Sequence, residues 1–194
     1  RENVSMQEIA ELFTVERVNS SPARFDMKKL EAINGDKIRE LSLEDFLKRA
    51  LPFLIKDQVI KGDAKEVEIV KAALPIIQER IVTLSEIPAM LKFLFVTTFE
   101  VEAESLPKIA DENAQLILKR ALADLSNVND WNHAGIEAVL RASLVEELGL
   151  KPRIAFTALR IATTGSTISP PLFESLELLG KDVVLTRIQG CLLG

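Results

Sequence analysis

The stretch LRIATTGSTISPPLFESLELLGK, residues 159–181, is where the fold class is read most directly. It opens as the end of a helix and passes through a loop of small hydroxyl residues. It then restarts at a serine–proline pair. Serine before proline is a helix-start pattern, because the serine side chain can accept from a first-turn N–H and proline at the first helical position loses no hydrogen bond. Leu172, Leu176 and Leu179 follow at spacings of four and three, one face of a helix. The spacing predicts a helix over 170–179, with Gly180 as the residue that ends it. Nothing in the stretch alternates with the period of two that a half-buried strand requires.

The helical pattern continues outward in both directions. Val184, Ile188 and Cys191 give a closing helix over 181–192, and a shorter helix is predicted over 152–162. Ile136, Val139, Leu140 and Leu144 predict one over 132–148, ended by Gly149. Ala114, Leu118, Ala121, Leu122 and Leu125 predict one over 111–125. Residues 97–107, TTFEVEAESLP, are acidic and mixed and read as a connection, so the main boundary is placed near 105. Before it, helices are expected over 86–95, with Pro88 in the first turn, and over 64–77, where Pro75 can kink the end. Ser42 with Asp45 resembles a capping box ahead of Phe46, Leu47, Ala50 and Leu51, a run ended near Pro52. Asn34-Gly35 lies between helical patterns and is not flanked by alternating runs, so no hairpin is expected. The fold class is all-α, a helical bundle with little or no strand.

Composition narrows the function classes. Of 194 residues, 47% are hydrophobic, enough for a packed core. No apolar run approaches the ~20 residues of a membrane span. The start RENVSMQEIAELF is polar and lacks the apolar centre of a signal peptide; it also begins without Met, which suggests a fragment or a processed start. Cys191 and His133 are each the single residue of their type, which removes an internal disulfide, a His/Cys zinc cluster and most nucleophile–histidine pairs. A lone cysteine suits a reducing cytoplasm. Neither a Rossmann glycine motif nor a phosphate-binding P-loop occurs. The net charge of −5 argues against non-specific nucleic-acid binding, DNA included, although a few placed groups can still read a base.

The loop of residues 159–181 offers such groups. Leu172 and Phe173 should present free N–H groups at the positive end of a helix. Phe173 adds a flat apolar face, and Arg160 offers a planar fork of donors. Together they could grip an unstacked RNA base. The same residues also describe an ordinary capped helix beside a polar loop.

Longer motifs go further. RVNSSPARFDMKKLEAINGDKIRELSLEDFL (residues 17–47) resembles the region that follows the catalytic core of bacterial glutamyl-tRNA synthetases. QERIVTLSEIP (78–88) is similar to that family's segment at the start of the anticodon-binding region, and EAVLRASLVEELGLK (137–151) and ALRIATTGSTISPPLFESLELLGK (158–181) to its C-terminal anticodon-binding helices. The resemblance runs over essentially the whole chain. It implies the tail of a stem-contact domain over 1–58 and two helical anticodon-binding subdomains, of the α-helix cage type, over 59–105 and 106–194. It also implies a catalytic half before Arg1, with HIGH-like and KMSKS-like signatures that do not occur here. ATP, magnesium and glutamate would belong to that half, with no cofactor in this chain, which alone should not aminoacylate. The implied partner is the tRNA for glutamate, and the implied state is a cytoplasmic monomer.

The resemblance also assigns residues. Arg160 and the helix-start residues Ser169, Pro170, Leu172 and Phe173 fall around the first anticodon base, Arg141 nearby, and Thr157 one turn before Arg160 as a weaker candidate. Arg80 falls at the position that separates glutamate from glutamine anticodons at the third base. The chemistry is consistent with that role. Arginine only donates, cytosine presents O2 and N3 acceptors, and guanine presents donors on the same edge. Lys28, Lys29, Lys37 and Arg39 are candidates for phosphates of the tRNA stem. Plainer readings stand beside these: Arg80 as a cation at a helix end, Arg141 and the lysines as solvated charges, Trp131 and Phe156 as core, and His133 as a surface residue. A helical protein-interaction module is the alternative function. A free-standing enzyme has little to build from.

Overall fold

The computed structural model describes residues 5–17 and 26–193. The first four residues, residues 18–25 of the 17–47 motif, and Gly194 lie outside the described residues. Among the described residues the secondary structure is helical, with no strand. The α-helices are α1 (Met6–Leu12), α2 (Met27–Arg39), α3 (Leu43–Lys56), α4 (Ala64–Gln78), α5 (Ile87–Leu91), α6 (Leu106–Ala110), α7 (Glu112–Ser126), α8 (His133–Leu140), α9 (Pro152–Thr164), α10 (Leu172–Leu179) and α11 (Lys181–Gly190). The all-α expectation holds.

Local chemistry explains most boundaries. Asp63 Oδ1 accepts from Glu66 N–H at 2.9 Å, and Glu66 Oε2 returns to the N–H groups of Lys61, Gly62 and Asp63, which ties down the start of α4. At α3, Ser42 Oγ accepts from Asp45 N–H at 3.2 Å, but the Asp45 carboxylate takes the Ser42 hydroxyl instead of its N–H. Aspartate is one carbon shorter than the glutamate of a full capping box. Pro52 does not end α3; it sits inside the helix on the exposed side, where water can satisfy the freed carbonyl. Asn34-Gly35 is not a break either: both residues lie inside α2.

Two further expectations are corrected. The helix predicted over 132–148 divides, because α8 stops at Leu140 and continues as a π-helix, Arg141–Glu147. Its wider turn appears in the bond from Leu148 N–H to Ser143 O, 3.2 Å, five residues back. Likewise α10 begins at Leu172 with Pro171 as its N-cap, not at Pro170 with Ser169.

Two cores form. One gathers Phe46, Ala50 and Leu54 of α3 with Val70, Leu74 and Ile77 of α4, Ile81 and Leu91. The other gathers Leu118 and Leu125 of α7, Ile136 and Leu140 of α8, Leu159 of α9, Leu176 of α10 and Ile188 of α11. Full burial of each such side chain is worth about 1.5–3 kcal/mol. The first core runs across residues 58–59, so no break in packing falls there. Several contacts join the halves among the described residues. Leu178 of α10 packs on the first core, Glu102 N–H donates to Gly165 O at 2.9 Å, and Arg187 of α11 reaches Phe93 O at 2.9 Å.

Candidate nucleic-acid interface

The α4–α10 contact brings together two arginines that lie 80 positions apart. Arg80 follows α4, is exposed, and has no side-chain partner among the described residues. Its loop is held from several sides. Gln78 Nε2 donates to Ile38 O at 2.8 Å and Leu41 O at 2.9 Å, closing the end of α2. Asn34 of α2 donates to Val82 O, and Glu86 Oε1 accepts from Thr83 N–H at 2.8 Å. Arg80 therefore stands on a fixed backbone, and Asn34, Gln78 and Glu86 are positioning residues that sequence reasoning missed. No local pattern announces Asn34 and Gln78, whose partners lie tens of residues away, whereas Glu86 forms a capping box with Thr83 three residues before it.

Arg160 comes from α9. Its burial pushes the guanidinium pKa below the ordinary arginine value, and Arg80 adds to this as a nearby like charge. One of its nitrogens is committed: NH1 donates to Pro170 O at 2.7 Å and to Ser169 Oγ. Ser169 Oγ in turn donates to Pro170 O at 3.0 Å. The serine hydroxyl thus serves the arginine and the loop, which corrects its expected role as a helix cap. Nε and NH2 of Arg160 keep donors without protein partners.

The rest of the loop is arranged around this fork. Ser169, Pro170 and Leu172 are buried, and Leu172 belongs to the second core. What α10 can offer a ligand is its backbone: Leu172, Phe173 and Glu174 have first-turn N–H groups with no acceptor inside the helix. Phe173 meets Phe156 edge-to-face, ring centroids 5.1 Å apart at 82°. Arg141 lies over Phe156 with its Cζ 5.5 Å from the ring centroid, while its Nε donates to Glu137 Oε1 at 2.6 Å. A continuous surface of Arg141, Phe156 and Phe173 therefore borders the Arg160 loop. Phe156 is half-buried and packs against the second core, so it is both core and platform. Thr157 is spoken for, since its hydroxyl donates to Arg153 O at 2.6 Å and retains only acceptor capacity.

A model of the family described as anticodon binding domain matches residues 45–192. The chain belongs to the anticodon-binding domain family. Among its relatives, the glutamate–tRNA ligase of Saccharopolyspora erythraea is 42% identical over 193 residues, covering 98% of this chain and 38% of that protein. The glutamate–tRNA ligase of Leifsonia xyli subsp. xyli is 44% identical over 195 residues, covering 97% and 39%. This member of the anticodon-binding family thus spans about two fifths of the length of the curated relatives it matches. The crystal structure of a glutamate tRNA ligase from Elizabethkingia meningosepticum has the same fold over 97% of this chain and 36% of its own, with a TM-score of 0.75 at 22% identity.

Of the remaining candidates, Arg39 comes near Val82 of the Arg80 loop. Lys28 and Lys29 are exposed in the first turn of α2. Lys37 pairs with Glu40 at 2.8 Å and Arg39 with Asp36, both within the helix and its end. Trp131 is largely structural: its Nε1 donates to Leu176 O at 3.0 Å.

His133, at the start of α8, holds α10 from the other side. Its N–H donates to Glu177 Oε2 at 2.8 Å and its ring Nδ1 lies 2.7 Å from the same oxygen. These bonds, the backbone one foremost, lower the Glu177 pKa. A depressed carboxylate pKa stabilises the fold fully above the unfolded value of about 4.3 and loses that stabilisation as pH falls through the lower folded value. The pair is largely exposed, so the effect is no more than about 1 kcal/mol. Glu177→Gln is expected to flatten that part of the acid limb of a stability–pH curve and leave a small, pH-independent loss above it.

Among the described residues, no helix is long and apolar enough to cross a membrane.

Proposed function

We propose that this chain reads the anticodon of the tRNA for glutamate on behalf of a glutamate–tRNA ligase, which joins glutamate to that tRNA using ATP. One observation carries the reading. Arg80 and Arg160 come from separate halves, near enough for one charge to act on the other, and neither is ion-paired with a carboxylate among the described residues. Two cations held together in this way call for a ligand rich in acceptors. The first-turn N–H groups of α10 and the Phe156–Phe173 pair supply what an unstacked base needs beside them. The relatives' identity as glutamate–tRNA ligases supports the choice of RNA.

In this reading Arg80 meets the third anticodon base and Arg160, with the α10 start, the first. Arg141 and Phe173 lie along the same strand, Ser169 and Pro170 fix the Arg160 fork, and Thr157 offers an acceptor. Cytosine at the third position accepts from Arg80. Guanine turns donors toward it, and each buried unpaired donor costs roughly 1–3 kcal/mol. The chemistry of aminoacylation, with ATP, magnesium and glutamate, belongs to the catalytic part of such a ligase. The chain works in the cytoplasm as a monomer, and Lys28 and Lys29 lie toward the tRNA stem.

The test is a titration of this chain with two anticodon stem-loops that differ only at the third base, C against G, at fixed salt. Preference for C by roughly ten-fold or more, lost in Arg80→Gln, is the expected result. Glutamine can both donate and accept, so the variant should tolerate either base. Equal binding of both loops by the unaltered chain removes the discriminating role of Arg80. Absence of RNA binding favours a helical protein-interaction module, a reading that the exposed Met6, Leu12 and Phe13 of the α1 region keep in view at the opposite end of the sequence.

A further inference from the structure

The polar face of α9 extends beyond the residues used above. Arg153, Thr157, Arg160 and Thr164 recur at spacings of four, three and four, one stripe of the helix. The candidate interface takes up its C-terminal end. The N-terminal end opens on a depression of about 240 Å³ between α9 and the corner of α6 and α7, lined by Lys108, Asp111, Asn113, Arg153 and Thr157.

Two cations face this depression, and neither is ion-paired among the described residues. Lys108 and Arg153 are exposed, and neither has a side-chain ion pair or hydrogen bond among the described residues. The acid in the depression is already engaged: Asp111 Oδ2 accepts from Asn113 N–H at 3.1 Å and Ala114 N–H at 3.4 Å as the N-cap of α7. Asn113 adds an amide that can donate. Four other basic residues behave differently, whereas Lys65 and Lys119, like Lys108 and Arg153, have no ion pair among the described residues. Lys37, Arg39, Arg120 and Arg141 each hold a carboxylate within a few ångströms. Unpaired cations at both ends of one helical stripe, in a chain of net charge −5, suit a polyanion lying along it. Arg153 precedes Arg160 by seven residues, about 10 Å along the axis. That is about three nucleotides of a stacked strand at 3.4 Å each.

We propose that Lys108 and Arg153 clamp one backbone phosphate of the RNA strand that runs off the Arg80–Arg160 face. The clamp rests on the anticodon-reading function proposed above and extends it, adding affinity and register without base selectivity. The rest of the lining is small and aliphatic, Ala114, Ile117, Ile154 and Ala158, with no flat face on which a base would stack.

The experiment measures anticodon stem-loop binding by the 194-residue chain as a function of salt. The unaltered chain is compared with the double variant Lys108→Gln, Arg153→Gln and with a control of equal charge change, Lys65→Gln, Lys119→Gln, whose residues lie outside the depression. Loss of one phosphate contact lowers the slope of log K against log salt by about 0.7 for a single strand, which is about five-fold in affinity at 0.1 M salt. The expected result is that change in the first variant, the same for C and G at the third anticodon base, with the control near the unaltered chain. An unchanged slope in the first variant overturns the clamp, as does an equal fall in the control, which would mean a diffuse charge effect. A change in base preference without a change in slope also overturns it. If the unaltered chain binds no stem-loop, the anticodon-reading function fails and the clamp fails with it.

Discussion

Arg187→Met should lower the melting temperature by roughly 5–10 °C. Arg187 is 7% exposed and joins the halves of the molecule. Its NH1 donates to Thr163 O at 2.6 Å and its NH2 to Phe93 O at 2.9 Å, while the guanidinium carbon sits 4.5 Å from the Phe99 ring centroid. No carboxylate faces it among the described residues, and burial pushes its pKa below the ordinary arginine value. Methionine keeps an apolar stem of similar length and abandons two carbonyls. A hydrogen bond from a charged group is worth about 1.5–3 kcal/mol, part of which returns because a buried charge is removed, leaving a net loss of about 2–4 kcal/mol. For a chain of this size each kcal/mol moves the midpoint by about 2–4 °C. Arg187→Lys should fall between the two, since a single ammonium cannot reproduce the planar fork. Thermal unfolding followed by circular dichroism checks the order. A melting point unchanged in Arg187→Met would mean that the halves are held by the other contacts, Leu178 on the first core and Glu102 with Gly165.

Gly165→Ala is the second large effect, on the other seam. Gly165 ends α9 in the left-handed region at φ +86°, and a Cβ there would lie 2.8 Å from Glu100 O. The left-handed conformation alone costs a residue with a side chain roughly 1–2 kcal/mol. Relieving the contact must move the backbone near 100, which is anchored by Glu102 N–H donating to Gly165 O at 2.9 Å. Losing that bond adds about 1 kcal/mol, for a total of roughly 2–3 kcal/mol. Denaturant unfolding should show a lower midpoint. Because the loop of Ser166 to Ser169 leads from Gly165 to the Ser169 and Pro170 contacts of Arg160, stem-loop affinity should fall with it. Retained stability with retained affinity would show that the 100 region yields freely and is no anchor. Gly149→Ala is the useful contrast: it shares a positive φ of +64° but would meet nothing within 4 Å, so only the conformational part should remain.

The helices were legible because their causes are local. Apolar residues at spacings of three and four, Asp63 and Asp111 ahead of α4 and α7, and Gly149 after the π-helix act within a turn or two of the backbone. The misreadings have local causes as well. Pro52 reads as a stop, yet proline on the exposed side of a helix leaves only a carbonyl that water can reach. Asn34-Gly35 looked like a break, yet Gly35 sits buried where a Cβ would crowd the Arg39 guanidinium at 3.2 Å and Val82 at 3.3 Å. The Ser169-Pro170 pair looked like a cap, but Arg160 takes the serine first. At Gly35 and Ser169 a specific contact of the folded chain outweighed a local preference worth about 1 kcal/mol, whereas at Pro52 solvent exposure softened a penalty of about 3 kcal/mol.

By itself the sequence determined the all-helical class, most helix boundaries, and through its longer motifs the anticodon-binding family. It also supplied the residues of the candidate interface, one by one. Only the tertiary structure decided which of them meet. Arg80 and Arg160 become neighbours because Leu178 of α10 packs against the core that α3 and α4 build, and no periodicity along the chain encodes a contact across that distance. The same packing assigned Arg187 to a seam, Phe156 to a platform and Asn34 to the support of the Arg80 loop. Helix formation is governed by neighbours in sequence, whereas burial and charge pairing are governed by neighbours in space.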